Sequence, residues 1–184
     1  MTRKLLSAFL ALAALLGAEG SGLAQTTVYL KPAEALKLIF KNSQEVLKEE
    51  HPVTDEVRRK AEVELKYELP KDRYVFYVGK TEGRVDGYAV IDEQVGKVQP
   101  ITFVAKISPE GRVDAVEVMV YRESHGGEVA SRRFLNQFKQ KDLNSELRLH
   151  GDIVNISGAT LSSHALVVGV KRALVLWRIF YGKS

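Results

Sequence analysis

The segment Asp152-Ile153-Val154-Asn155-Ile156-Ser157-Gly158-Ala159-Thr160-Leu161-Ser162-Ser163 concentrates the residue types that could do chemistry in this chain. It reads as a short extended piece, a small-residue turn and the start of a helix. Gly158 and Ala159 let the backbone come close to a ligand, because little side chain stands in the way. Four hydroxyl side chains, Ser157, Thr160, Ser162 and Ser163, converge on that turn. The helix N-terminus that follows offers unpaired N–H groups and the positive end of the helix dipole, which suit a phosphate or another anion. The same residues also make ordinary helix caps, since Ser and Thr favour that position without any ligand. Local chemistry leaves both readings open.

Other constellations are weaker. The histidines, His51, His125, His150 and His164, are scattered, and no two have the i, i+4 spacing of a zinc-binding helix. Serines, His164 and Asp152 crowd one region, as a Ser–His–Asp hydrolase would need. Yet there is no Gly-x-Ser-x-Gly elbow, and His164 adjoins Ser163, where neighbouring side chains on a helix diverge. No Gly-x-Gly-x-x-Gly or phosphate-loop sequence occurs. The absence of cysteine excludes disulfides, thiolate metal sites, a cysteine nucleophile and a lipobox anchor. The 27 basic and 23 acidic residues leave a net charge of +4, but they are interleaved rather than clustered. That is not the footprint of a nucleic-acid binder.

The elements that must position the segment follow from periodicity. Pro32 to Glu49 is predicted as a helix, with Pro32 in its first turn and Ala35, Leu36, Ile39, Phe40, Val46 and Leu47 at helical spacing. Thr54 is predicted to cap a second, highly charged helix bearing Val57, Ala61 and Leu65. From Arg73 the period becomes two. Tyr74–Val78, Val85–Ile91, Ile101–Ile107 and Val113–Tyr121 read as strands, with Gly87 marking a bulge or close approach. Val116, Val118 and Val120 are expected on one face of the last strand. Ser108-Pro109-Glu110-Gly111 fits a turn. Glu128 to Lys139 is predicted as a helix with Phe134, Leu135 and Phe138 inward. A closing helix runs from about Ser162 to Tyr181, and its Lys171, Arg172 and Arg178 mark it as core-packing rather than membrane-spanning. The result is an α+β fold: an antiparallel β-meander packed with helices, closed by a C-terminal helix.

Ser157-Gly158-Ala159-Thr160, with Asp152 upstream and Ser162-Ser163 after it, resembles the flavinylation motif of the FMN-binding domain family. That domain is found in the G subunit of the Rnf complex and the C subunit of the sodium-pumping NADH:quinone oxidoreductase. In the family, a flavin transferase moves FMN from FAD onto the motif threonine as a phosphoester. The resemblance implies Thr160 as the acceptor, flanked by Ser157, Gly158, Ala159, Leu161, Ser162 and Ser163. Asp152 matches the upstream acid, a residue or so further away than in the commonest spacing. Tyr121-Arg122-Glu123-Ser124-His125-Gly126-Gly127-Glu128 resembles the family's glutamate–glycine loop, which implies Glu123, His125 and Glu128 as flavin neighbours. Phe134, Gln137 and Phe138 occupy places like those in exported single-domain members. The resemblance covers roughly Gly83 to Gly182.

The N-terminus reads as an export signal. Arg3 and Lys4 precede an apolar run from Leu5 to Leu16, and Gly22 and Ala24 have the spacing a signal peptidase reads. The run is short for a spanning helix. The expected organisation is a signal peptide at 1–24, an N-terminal helical region with the first strand at 25–82, and an FMN-binding domain at 83–184. The function implied is an exported electron carrier, periplasmic or on the outer face of the cytoplasmic membrane. Covalent FMN would be installed by a flavin transferase and served by membrane-bound redox donors and acceptors. The alternative is a non-flavinylated module of the same fold that recognises an anion or a partner protein.

Overall fold

Residues 26–182 are described by the computed structural model. The expected leader, residues 1–24, lies outside the described residues. Six strands form one antiparallel sheet in the order β1-β6-β5-β4-β3-β2. They are β1 (Thr27–Val28), β2 (Glu45–Pro52), β3 (Arg73–Thr81), β4 (Arg84–Val95), β5 (Pro100–Ile107) and β6 (Val113–Tyr121). The helices are α1 (Pro32–Ile39), α2 (Asp55–Leu65), α3 (Arg132–Leu135) and α4 (Thr160–Tyr181). From β2 to β6 each strand pairs with the next, which is the expected meander, and the α+β class holds.

Each face of the sheet buries a separate apolar cluster, because alternate residues of a strand point to opposite sides. On one face α4 and α2 pack Leu166, Leu174, Ala61 and Leu65 against Phe76, Phe103, Ala105 and Val116. On the other, Ala35, Ile39 and Phe40 of α1 and its end cover Ala89, Val104 and Met119. The axis of α4 runs close to β5 at Gly169, where a Cβ would stand 2.5 Å from the Phe103 ring. Deeper along α4, Arg172 is buried and binds β4. Its guanidinium donates to Asp92 Oδ2 at 2.8 Å, Gln94 Oε1 at 2.7 Å and the Glu93 carbonyl at 2.8 Å. Lys71 holds the other Asp92 oxygen at 2.6 Å. This clamp fixes the helix about 18 Å along its axis from Thr160, at 1.5 Å per residue.

Four expectations are corrected. The first helix ends at Ile39, and Glu45–Pro52 is the edge strand β2, paired in unbroken register from Glu45↔Lys80 to Pro52↔Arg73. Val46 and Leu47 fell at helical spacing, but tertiary pairing outweighs so short a signal, and both are exposed on the strand. Second, Glu128 to Lys139 is not one helix. A 3₁₀ turn at Gly127–Ala130 is followed by Ser131 in extended conformation (ψ 141°), then α3 and a second 3₁₀ turn at Asn136–Phe138. Phe134, Leu135 and Phe138 are nonetheless buried as expected. Third, Val120 does not share a face with Val116 and Val118. Thr102 pairs with Val120 and Phe103 with Val118, so Met119 is an extra residue that turns Val120 toward the α1 cluster. Fourth, α4 begins at Thr160 rather than near Ser162.

The other expectations hold. Thr54 caps α2, its Oγ1 accepting from Val57 N. The register shifts between Gly79 and Lys80, directly opposite Gly87, so a bulge lies where one was expected. The closing helix packs into the core as expected, with Arg172–Trp177 buried. Among the described residues no helix is long and apolar enough to cross a membrane.

Candidate functional site

Thr160 is the first residue of a 22-residue helix, and it is exposed. The preceding Ala159 is the N-cap and has no side chain able to cap the turn. The first backbone bond of the helix runs from Ser163 N to Ala159 O at 2.8 Å. The N–H groups of Thr160, Leu161 and Ser162 therefore precede the hydrogen-bonded ladder, at the positive end of a long dipole. Gly158 reaches the turn with φ +80°, a conformation that costs a side chain strain, and no neighbour crowds it within 4 Å. Ser157, Gly158 and Leu161 are exposed around Thr160, while Ser162 and Ser163 are buried behind it. The expected motif is thus split between a solvent-facing rim and a packed floor.

The loop after β6 is brought to this floor. Tyr121 is buried, and its hydroxyl donates to the His125 carbonyl while Ser162 Oγ lies 2.8 Å from it. With its proton committed to the carbonyl, the Tyr121 oxygen accepts from Ser162. Burial raises the Tyr121 phenol above its ordinary value, so it remains a donor. Gly126 completes the joint with φ +90°. A Cβ there would stand 2.8 Å from the Tyr121 hydroxyl, 3.1 Å from Ser162 Oγ and 3.3 Å from Ala159 Cα. The glycine loop lies directly against the N-terminus of α4.

The named side chains then separate. Glu123 Oε1 accepts from Val98 N at 2.6 Å and Gln99 N at 2.9 Å, and so ties the β4–β5 turn to the loop. Partial burial opposes its charge, but these amides, with that of Lys97, outweigh it and hold the carboxyl below its usual value. His125 is exposed, its Nδ1 2.9 Å from Ser124 Oγ. Lys97, Glu123, Ser124 and His125 face Gly158–Ser162 across a cavity of about 350 Å³. Glu128 lies on the other side of the turn. It lines a second cavity of about 620 Å³ with Arg133, Phe134, Asn155 and Ile156.

Asp152 stands apart from both cavities. Its Oδ2 lies 2.9 Å from Lys141 Nζ and its Oδ1 accepts from Arg148 N at 3.1 Å. Burial again opposes its charge, and Lys141 with the loop amides holds it below the ordinary carboxylate value. In this structure it shapes the loop leading to the motif.

Two residues of the site had no assigned role in the sequence. Gln137 pins the approach to the turn, accepting from Val154 N at 2.7 Å and donating to Val154 O at 3.1 Å. The 153–156 segment is thus held by a side chain, with a single bridge from Ile153 to Leu149. Asn155 Nδ2 donates to Thr160 Oγ1 at 2.8 Å. Its own Oδ1 has no hydrogen-bond partner among the protein's groups. An amide at the end of a short apolar stretch was the visible signal for Asn155. Gln137 was named only through the resemblance to exported single-domain members, and its contact joins segments distant in sequence. Among the described residues, no group of three or more His, Asp or Glu could hold a metal ion.

The family model described as FMN-binding domain matches residues 96–175. The G subunit of the Na(+)-translocating ferredoxin:NAD(+) oxidoreductase complex of Acetobacterium woodii is 28% identical over 128 residues, covering 62% of this chain and 60% of the relative. The chain thus spans about 60% of that relative's length. Among solved structures, NqrC of Shewanella oneidensis superposes with a TM-score of 0.51 at 16% identity, covering 77% of this chain and 81% of that one. That likeness establishes the shared α+β fold.

Proposed function

We propose that this chain, whose residues 96–175 match the FMN-binding domain family, is an extracytoplasmic electron carrier holding FMN by a phosphoester to Thr160. The observation that carries the reading is the exposed Thr160 hydroxyl on the first turn of a long helix whose leading N–H groups no side chain caps. A phosphodiester formed there keeps one negative charge, and those N–H groups and the dipole would stabilise it. Lys97 adds a positive charge across the smaller cavity. Bound FMN supplies one- or two-electron exchange, while the protein orients it and sets its surroundings. Glu123 would hold the 97–99 wall in place, with His125 on the same side and Glu128, Arg133 and Phe134 on the other.

A covalent link cannot dissociate, which suits a protein that the N-terminal sequence marks for export. A flavin transferase would load it, and exposure of Thr160 on the folded surface supports access by such an enzyme. Its donors and acceptors would be membrane-bound redox proteins, by analogy with the complex that the Acetobacterium relative is named for. The chain itself would be a carrier, not an enzyme. The test is the intact mass of protein from cells with an active flavin transferase. The expected mass is that of the leader-free chain plus FMN, with flavin fluorescence retained on denaturation and lost in Thr160→Ala. An unmodified mass sinks the proposal.

One observation favours a second reading. Asp152, the acid matched to the motif, is engaged by Lys141 and the Arg148 amide, away from Thr160. A module that leaves Thr160 unmodified and binds an anion or a protein would show no flavin mass, and Thr160→Ala would leave its folding and partner binding intact.

A further inference from the structure

Asn155 is the side chain that touches the atom to be modified. Its Nδ2 donates to Thr160 Oγ1 at 2.8 Å, while its Oδ1 is buried with no partner. The unpartnered oxygen adds nothing to stability, and an apolar side chain there would avoid it. Such exceptions in a folded protein ask for another explanation. The rest of the Thr160 surroundings does not fix its hydroxyl: Ser157, Gly158 and Leu161 are exposed, and no N-cap side chain reaches the turn.

We infer that Asn155 is a positioning residue for loading, which holds the Thr160 hydroxyl in one rotamer for attack on a flavin dinucleotide. The inference rests on the proposed flavinylation of Thr160. In that step the Oγ1–P bond forms as the pyrophosphate P–O bond of FAD breaks. AMP leaves, and the hydroxyl proton passes to a base of the transferase. An N–H donor suits both ends of the step. It occupies one lone pair of the hydroxyl oxygen and leaves the other lone pair and the O–H facing outward. Afterwards it still has an ester oxygen to donate to. A carboxylate at 155 could do neither once protonless, and would face the new phosphate as a like charge.

The experiment compares wild type, Asn155→Ala and Asn155→Leu, incubated with a flavin transferase and FAD and followed by intact mass over time. Loading of both variants is expected to slow about tenfold or more, the scale on which a misplaced reacting group loses rate. Their melting temperatures are expected to equal or exceed that of wild type. In the unloaded variants the Thr160 methyl carbon signal should move toward a rotamer-averaged position. Wild type that takes up no flavin overturns the flavinylation reading itself. Wild type that loads while both variants load at the same rate overturns the role of Asn155 alone. So does slow loading accompanied by a lowered melting temperature and an unmoved Thr160 methyl signal, which would mark Asn155 as merely structural.

Discussion

Asp92→Asn strips the negative charge from the cluster beneath α4 and leaves Arg172 as a buried cation. Both Asp92 and Arg172 side chains are 1% exposed, so water cannot take over the lost interaction. Removing one partner of a buried pair costs about 3–5 kcal/mol, because the remaining charge keeps its desolvation penalty. The asparagine oxygen can still accept one guanidinium hydrogen, and the Gln94 and Glu93 acceptors persist, so the low end, about 3 kcal/mol, applies. Loss of the half-exposed Lys71 contact adds less than about 1 kcal/mol. At roughly 2–4 °C per kcal/mol for a chain of this size, the melting temperature should fall by about 6–12 °C. The companion double variant Asp92→Leu, Arg172→Met replaces the pair by apolar groups and should lie within about 1 kcal/mol of wild type. Urea unfolding followed by the single tryptophan, Trp177, reads both, since it is buried on the same helix. A cost below about 1 kcal/mol for Asp92→Asn would show that the charge is not held desolvated. A double variant as unstable as the single would show that the network stabilises on its own account.

Tyr121→Phe removes the hydroxyl shared by the His125 carbonyl and Ser162 and should cost about 1–3 kcal/mol. Amide hydrogen exchange should rise at residues 122–127 first, and an unchanged pattern there would refute the joint. The Glu123 carboxyl is held below its ordinary value, so its contribution is complete above the unfolded pKa of about 4.3 and disappears as pH falls through the lower folded value. The Val98 and Gln99 amide shifts should therefore hold steady from neutral pH to about 4.3 and move only below it. Glu123→Gln should abolish that titration, and a midpoint above the ordinary carboxylate value would contradict the structure.

Much of this fold was legible because its strands alternate strongly and its last helix is long. Tyr74–Val78 and Val113–Met119 carry enough β-branched and aromatic residues to reveal strands, and Ser108–Gly111 reveals the turn between the last pair. The edge strand β2 was not legible. Its exposed Val46 and Leu47 follow no burial pattern, and what makes it a strand is pairing with the distant residues Arg73–Lys80. The break at Ser131 was hidden for a related reason: apolar spacing survives when two short turns replace one helix. At the site, the small-and-hydroxyl string marked a turn before a helix, and only the family resemblance singled out Thr160 within it. That Glu123 spends its carboxylate on backbone amides, and that Asn155 meets Thr160, depend on contacts that no periodicity records.

The two residues of β1 have a consequence out of proportion to their length. Strand β6 would otherwise offer a row of unpaired amides and carbonyls to any passing extended chain. Its last two residues are paired by Thr27 and Val28, the Met119 carbonyl is taken by Tyr29 N and Leu30 N, and Val113 at the far end exchanges bonds with Gln140 and Lys141. The opposite margin of the sheet is β2, which presents Glu45, Lys48, Glu49 and Glu50 and ends in Pro52. Charge and proline are what discourage a second copy from adding itself there. Strand-to-strand association is thereby opposed at the two ends of β6 by pairing and along β2 by charge.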